Sequence, residues 1–439
     1  MELPEKFSCL PKELWRYVVS LLSLEDTVRT SALSKDWRKI WYSFPNLIFK
    51  YDKFPEIEQK HEKFVEFIKM TLARHDRSNI EAFELHLFSW DDGEILIQRE
   101  WISFALHHNV KKILLEGDIH ESDNIPDCLF RSKSLVVLEL VMSKSVLEKM
   151  ENIFLPNLQE LCLRDLMIDE DAIEVLLPSC PSLEYMSIIC CDFVSQSLTI
   201  SSLGLQKLII CQCGSVGYNS LKLQSSMLSE LTLVGNIVEE YELMSLPCIS
   251  FAYVSFWEFL EGEMSTGVIV KSAIKLYKEL KNAPQLFLNE WFIEILSRAS
   301  DITSILETTS ASKLRRLTLY IQPNRKHIEI MLHILSKSPN LQELNIIIAK
   351  NSDTTVDLVE RNYQSERWIS SGLLNHLTHV NIHRFVGNEK ELEILRLLLK
   401  STPELINLNV LSYNEAKNEE ISEKILTQVG FPRCTYRIS

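Results

Sequence analysis

Four short stretches hold the side chains that could do chemistry: "CC" at Cys190, "CQC" from Cys211, "HH" at His107 and "HLTHVNIH" from His376. Thiols and imidazoles are the ligands of structural and catalytic zinc, so their spacing decides whether a metal could sit there. A structural zinc module needs paired CxxC spacing, which neither "CC" nor "CQC" supplies. His379 and His383 fall on one face of a strand, but at strand rise they stand about 13 Å apart, too far to share one ion. The pair at His107 and His108 ends a predicted helix and is no better placed. Phosphate-cradling loops of the GxGxxG and GxxxxGK kinds are absent from a chain with only 11 glycines. The residues therefore predict no catalytic group, no metal and no cofactor, and the protein is expected not to be an enzyme.

The elements that carry these side chains come from a repeat. From about Ile80 onward, apolar residues recur as LxxLxLxx(N/C), the spacing by which leucine-rich repeats are read. Clear copies begin at Leu158, Leu183, Leu205, Leu228, Leu314, Leu341, Leu377 and Leu405, and weaker ones at Phe83, Val110, Leu135 and Phe251. The LxL core of each copy predicts a short strand with alternate residues facing in, and the intervening helix or irregular segment returns the chain to the next strand. The segments from Ile173, Ile328 and Leu392 all run helix, Ser or Thr, Pro, strand, with proline placed after a helix it cannot continue. Between Glu258 and Lys313 the array is irregular, and "FIEILSRASDITSIL" reads as a helix leading into at most a degenerate strand. Cys191 and Cys213 take the final slot of their repeats, each in its own loop. The expected fold class is α/β (an α+β repeat): a small N-terminal helical module followed by one curved leucine-rich repeat solenoid.

Composition bounds the function. A formal charge of −14 over 439 residues argues against a dedicated nucleic-acid or anionic-membrane binder, which needs a surplus of Lys and Arg on its contacting face. The opening "MELPEKFSCLPKEL" has no apolar core run, so no secretory signal is expected and the protein should stay inside the cell. Uncharged stretches such as Leu243 to Trp257 fall short of the roughly 18 apolar residues of a membrane span. Ten cysteines in a reducing compartment are expected to be free of disulfides.

Residues 10–49 lack the repeat and form a compact helical pattern. Leu14, Val18, Val19 and Leu22 lie at helical spacing, Glu25 and Asp26 mark the start of a next helix, and Val28 and Ala32 continue its apolar side. In "TSALSKDWRKIW", Leu33, Trp37 and Trp41 fall on one stripe at i, i+4 and i+8. Both tryptophans could be core. A module of some forty residues cannot bury everything, however, and large apolar side chains left over at that size go into a partner. A DNA-reading helix-turn-helix is opposed by the acids that interleave Arg29, Lys35, Arg38 and Lys39.

This stretch resembles the F-box family. Leu10-Pro11, Leu14, Val18, Leu22, Asp26, Val28, Leu33-Ser34-Lys35, Trp37-Arg38 and Trp41 match its pattern, with Ser23 standing where the family often has proline. Together with the "FVEFIKMTLARH" helix and the repeats, the chain is similar to plant F-box and leucine-rich repeat proteins. Its segment Leu377 to Leu411 is similar to the FBD segment that closes many of them. The resemblance implies domains at 1–50 (F-box), 51–79 (helical linker), 80–415 (repeats, FBD-like from 368 to 415) and 416–439 (tail). It implies a non-catalytic substrate adaptor of a Skp-cullin-F-box ubiquitin ligase, cytoplasmic and/or nuclear. Leu10, Pro11, Leu14, Val18, Leu22, Leu33, Ser34, Trp37 and Arg38 would contact the Skp-type adaptor, and through it a cullin. A ligase-independent scaffold and a small-molecule-dependent receptor of the same architecture are the alternatives.

The partner of the repeats is then a protein, not nucleic acid or membrane. In the LxxLxLxx register, the residues flanking the inward ones point to the concave face. That places Tyr185, Tyr253, Trp257, Arg316, Tyr320, His379 and His383 there, along with Glu160, Arg164, Glu230 and Glu343. Aromatic and arginine side chains anchor interfaces most often, so the first seven are the expected substrate contacts. Tyr253 and Trp257 could equally cover an irregular stretch of core.

Overall fold

A computed structural model describes residues 42–87, 97–117, 125–143, 145–169, 171–213, 219–244, 246–257, 266–299, 310–349, 374, 376–402, 404–412, 418–429 and 434–438. The nine expected adaptor contacts, Leu10 through Arg38, lie outside the described residues. Two compact units divide the chain, Met1–Tyr218 and Asn219–Ser439.

In the first unit the strands are β1 (Asn46–Lys50), β2 (Ala82–His86), β3 (Lys112–Glu116), β4 (Val137–Val141), β5 (Val146–Leu147), β6 (Glu160–Arg164), β7 (Met167–Ile168), β8 (Tyr185–Ile189), β9 (Asp192–Phe193), β10 (Ser197–Ser201) and β11 (Lys207–Cys213). Seven of them pair in parallel in the order β1-β2-β3-β4-β6-β8-β11. Alternation places one side of each strand in the core: Leu161, Leu163, Met186 and Leu208 are all 0 % exposed. Parallel neighbours need a crossover. Helices α1 (Lys60–Arg74) and α2 (Arg99–His107) provide it in the early repeats. A 3-10 turn, Asp127–Arg131, and the short α3 (Ala172–Leu176) serve the later ones, where β5, β7 and β9 pair in parallel as a second small ladder. The parallel ladder starts earlier than the repeat spacing predicts. β1 pairs with β2 from Asn46↔Ala82 to Lys50↔His86, and Phe49 meets Phe83 and Phe67 edge-on at 6.1 and 5.9 Å.

The second unit holds β12 (Ser220–Gln224), β13 (Glu230–Gly235), β14 (Glu240–Met244), β15 (Phe251–Phe256), β16 (Gln285–Leu288), β17 (Arg316–Ile321), β18 (Glu343–Ile348), β19 (His379–Phe385), β20 (Asn407–Ser412) and β21 (Thr435–Ile438). From β15 to β21 consecutive strands pair in parallel, β13 flanks β15, and β12 pairs with β14. Its helices are α4 (Thr266–Leu280), α5 (Glu290–Ser297), α6 (Arg325–Ser336), α7 (Glu389–Ser401) and α8 (Asn418–Lys424). An asparagine opens three of them. The Asn289, Asn324 and Asn388 side chains accept from the backbone N–H of Phe292, His327 and Glu391, satisfying one of the donors that every helix start leaves free. His327, fully buried, meets Glu294 at 3.0 Å and ties α6 to α5. That hydrogen bond holds the Glu294 carboxyl down at about 2.

In the second unit's main ladder, β16 and β21 lie where the repeat pattern does not announce them. β16 falls inside the irregular Glu258 to Lys313 stretch. There Ala283 fills the buried slot two residues before the strand that Leu314 fills before β17, and this substitution hides the leading leucine of the pattern. β21 falls in the stretch expected to be a tail, and pairs with β20 from Asn407↔Thr435 to Val410↔Ile438. Among the described residues no helix is long and apolar enough to cross a membrane.

Candidate functional site

On the second unit's ladder, inward residues are buried and the alternate ones form an outward face in aligned rows. One row reads Gln285, Arg316, Glu343, His379, Asn407, Thr435. The next reads Tyr253, Phe287, Thr318, Asn345, Asn381, Asn409, Arg437. A third holds Tyr320, Ile347, His383 and Leu411. Five of the expected substrate contacts, Tyr253, Arg316, Tyr320, His379 and His383, therefore share one face. Trp257 follows β15 one step beyond its end and is 45 % exposed. Tyr185 belongs to the other unit, where Lys207 on β11 stands 5.9 Å from its ring.

These side chains are oriented by their neighbours. Arg316 donates through Nε to Glu343 at 2.8 Å and through Nη1 to Gln285 at 3.1 Å. Tyr253 stacks on Phe287 with centroids 4.2 Å apart and planes inclined by 13°. His379 accepts from the Asn407 amide at 3.0 Å. Burial pushes the His383 imidazole below its usual value. After His383 the register slips by one residue, and Arg384 occupies the slip with φ 61°, the extra residue of a β-bulge. Its guanidinium donates to the Tyr320 hydroxyl and lies 5.4 Å from that ring.

A carboxamide ladder runs through the middle row. Asn409 donates to the Asn381 oxygen at 2.7 Å, Asn381 to the Asn345 oxygen at 2.7 Å, and Asn345 to Thr318 at 3.4 Å and Glu343 at 3.2 Å. The sequence reading missed Asn345, Asn381, Asn409, Phe287 and Arg384. The asparagines had a signal: each follows the second apolar residue of its repeat, in "LQELN", "LTHVN" and "LINLN".

The outward face of the first unit is charged instead. His86 bridges Glu84 and Glu116, and Lys112 pairs with Glu84 at 2.9 Å and Glu139 at 3.5 Å. The hydrogen bond from His86 holds the Glu84 carboxyl down at about 2, and the same bond raises the imidazole.

Cys191 and Cys213 are buried in their repeat slots. Cys191 donates to the carbonyls of Leu163 at 3.5 Å and Ile189 at 3.4 Å, and Cys213 to those of Ile188 at 3.4 Å and Cys211 at 3.5 Å. Burial pushes both thiols up to about 12, which suits weak S–H donors rather than thiolate ligands. The described cysteines are free, and among the described residues no three His, Cys, Asp or Glu side chains cluster as metal ligands. The outward face of the second unit offers guanidinium, aromatic and carboxamide groups, which is equipment for binding.

Comparison with known proteins locates both parts of the chain. The F-box domain family model matches residues 7–49. The family model described as "FBD-associated F-box protein At5g56370, LRR repeats" matches residues 98–220. The chain carries an F-box and leucine-rich repeats. It is 25 % identical to the F-box protein At3g59000 of Arabidopsis thaliana over 92 % of this chain and 86 % of that one. To the F-box/LRR-repeat protein At3g58900 of the same plant it is 28 % identical over 66 % of this chain and 95 % of that one. A third Arabidopsis thaliana relative, At3g59240, whose name joins F-box, FBD and LRR-repeat, is 23 % identical over 98 % of this chain and 88 % of its own. F-box and leucine-rich repeat architecture implies, in general, a substrate-adaptor role in a ubiquitin ligase, and F-box chains are typically its non-catalytic subunits. The F-box match ends at residue 49, inside β1.

Proposed function

We propose that this protein is the substrate-recognition adaptor of a Skp-cullin-F-box ubiquitin ligase, working in the cytoplasm, the nucleus or both. The observation that carries the reading is the F-box match at residues 7–49 with the repeat match at residues 98–220 after it. In this role Leu10, Pro11, Leu14, Val18, Leu22, Leu33, Ser34, Trp37 and Arg38 dock a Skp-type adaptor, and the FBD-like segment at 368–415 closes the repeats. The outward face holds a protein substrate. Transfer chemistry belongs to the other subunits, and the adaptor acts by raising the effective concentration of substrate lysines beside the charged enzyme.

Truncating a buried aromatic anchor costs about 2–4 kcal/mol of binding. Trp37→Ala, or Leu10→Ala with Pro11→Ala, is therefore expected to abolish co-purification of a Skp-type adaptor while the repeats stay folded. Full retention of the adaptor by both variants would sink the reading. On the substrate side, Arg316→Ala with Tyr320→Ala is expected to stabilise the substrate in cells without loosening the adaptor complex. Unchanged turnover in a folded double variant would move recognition elsewhere.

A further inference from the structure

We infer that the outward face from β17 to β21 receives an extended acidic segment of a partner protein, laid across the strands. The inference rests on the proposed adaptor role only in calling that partner a substrate.

Charge carries the first part of the argument. Among the described residues, the outward side of these strands holds the guanidinium groups of Arg316, Arg384 and Arg437 against one carboxylate, Glu343. Glu343 is engaged by Arg316. Arg384 and Arg437 are exposed and have no carboxylate partner among the described residues. A cationic face on a chain of formal charge −14 draws an anionic partner by local complementarity and excludes a cationic one.

The neutral groups say what kind of anion. Between the arginine rows runs the carboxamide ladder, in which Asn381 and Asn409, on adjacent strands roughly 4.8 Å apart, each use one N–H in the ladder and have a second left over. Such groups pair with peptide N–H and C=O. Tyr320, beneath the Arg384 guanidinium, adds an aromatic surface for a side chain of the same segment. The face spans four strand intervals, about 19 Å, which an extended chain covers in about six residues. A nucleic acid is the poorer fit, because it asks for a continuous row of cations along its phosphates, and here the middle row is carboxamide.

The test is selection from a random dodecapeptide phage library against the full chain, followed by fluorescence anisotropy with the selected peptides. Asp and Glu should be enriched. Arg316→Gln with Arg384→Gln should weaken the selected peptides roughly tenfold or more, whereas Arg325→Gln with Lys326→Gln, which removes equal charge from α6, should leave them unchanged. Four outcomes overturn the inference: no enriched peptide, no acidic enrichment, equal binding by the two double variants, or a single-stranded dodecanucleotide binding as tightly as the peptides. Co-purification of the Skp-type adaptor is read on the same preparations. Its loss alone would remove the ligase reading and leave the surface, and its presence without acidic enrichment would do the reverse.

Discussion

His86 shows how one side chain can make the stability of the repeats depend on pH. Its imidazole lies between Glu84 at 3.3 Å and Glu116 at 2.5 Å, with 23 % of its surface exposed. The hydrogen bond with Glu84 raises it above its ordinary 6.5, so the folded state binds the proton more tightly than the unfolded chain does. The stabilisation is then fully present below pH 6.5 and is lost as the pH rises through the higher folded value. The lowered Glu84 carboxyl reports the same contact, which fails on the acid side only as the pH falls from 4.5 toward about 2. His86→Gln is accordingly expected to lower the melting temperature most near about pH 5.5 and least above about pH 8. A difference that does not vary with pH would show that the pair contributes no charge-dependent stability.

At the scale of elements, the asparagine caps of the second unit are not equivalent. Asn324 Oδ1 accepts from His327 N at 2.9 Å and does little else for the core. Asn289, 9 % exposed, accepts from Phe292 N at 3.2 Å and from Phe256 N at 3.0 Å, and donates to Phe256 O at 2.6 Å, so it pins α5 to the end of β15. Asn324→Ala should cost about 1 kcal/mol, the ordinary loss of a cap. Asn289→Ala should cost about 2–3 kcal/mol, because it also strands buried backbone groups. Urea midpoints of the two variants decide this, and equal shifts would contradict it. Asn388 makes a third kind of start. Glu391, 2 % exposed, answers the cap by accepting from Val386 N at 2.7 Å, Gly387 N at 2.8 Å and the Asn388 amide at 2.6 Å, a buried variant of the capping box.

At the scale of the molecule, each unit is held by a row of inward side chains that neighbouring repeats share. Leu208 in the first unit and Leu344 in the second are both 0 % exposed. An aspartate at either place would bury a charge without a partner, at a cost of about 3–5 kcal/mol. Leu208→Asp and Leu344→Asp are therefore expected to give insoluble protein. Lys207→Asp, one residue away on the outward face, should remain soluble and melt close to the parent. Comparable soluble yields from Leu208→Asp and Lys207→Asp would mean that the strand register is wrong.

The periodicity of the sequence determined most of the ladder. Each of the twelve LxL copies from Phe83 to Leu405 leads into a parallel strand, because alternation of apolar residues is dictated by the two-residue period of the strand and needs no distant information. The same reasoning placed Cys191 and Cys213 in buried final slots, although Cys213 is the last residue of β11 and not a loop residue. It failed where the pattern was masked by a smaller residue, as at Ala283 before β16, or carried by a strand outside the leucine spacing, as in β1 and β21. Which outward side chains meet was decided by the tertiary structure. Phe287 stacks on Tyr253 across 34 residues of chain, and Arg384 covers Tyr320 across 64, pairings set by the register between strands and, for Arg384, by a bulge. A single strand records only which side each residue faces; what stands beside it depends on the length and path of the connection that brings the next strand in.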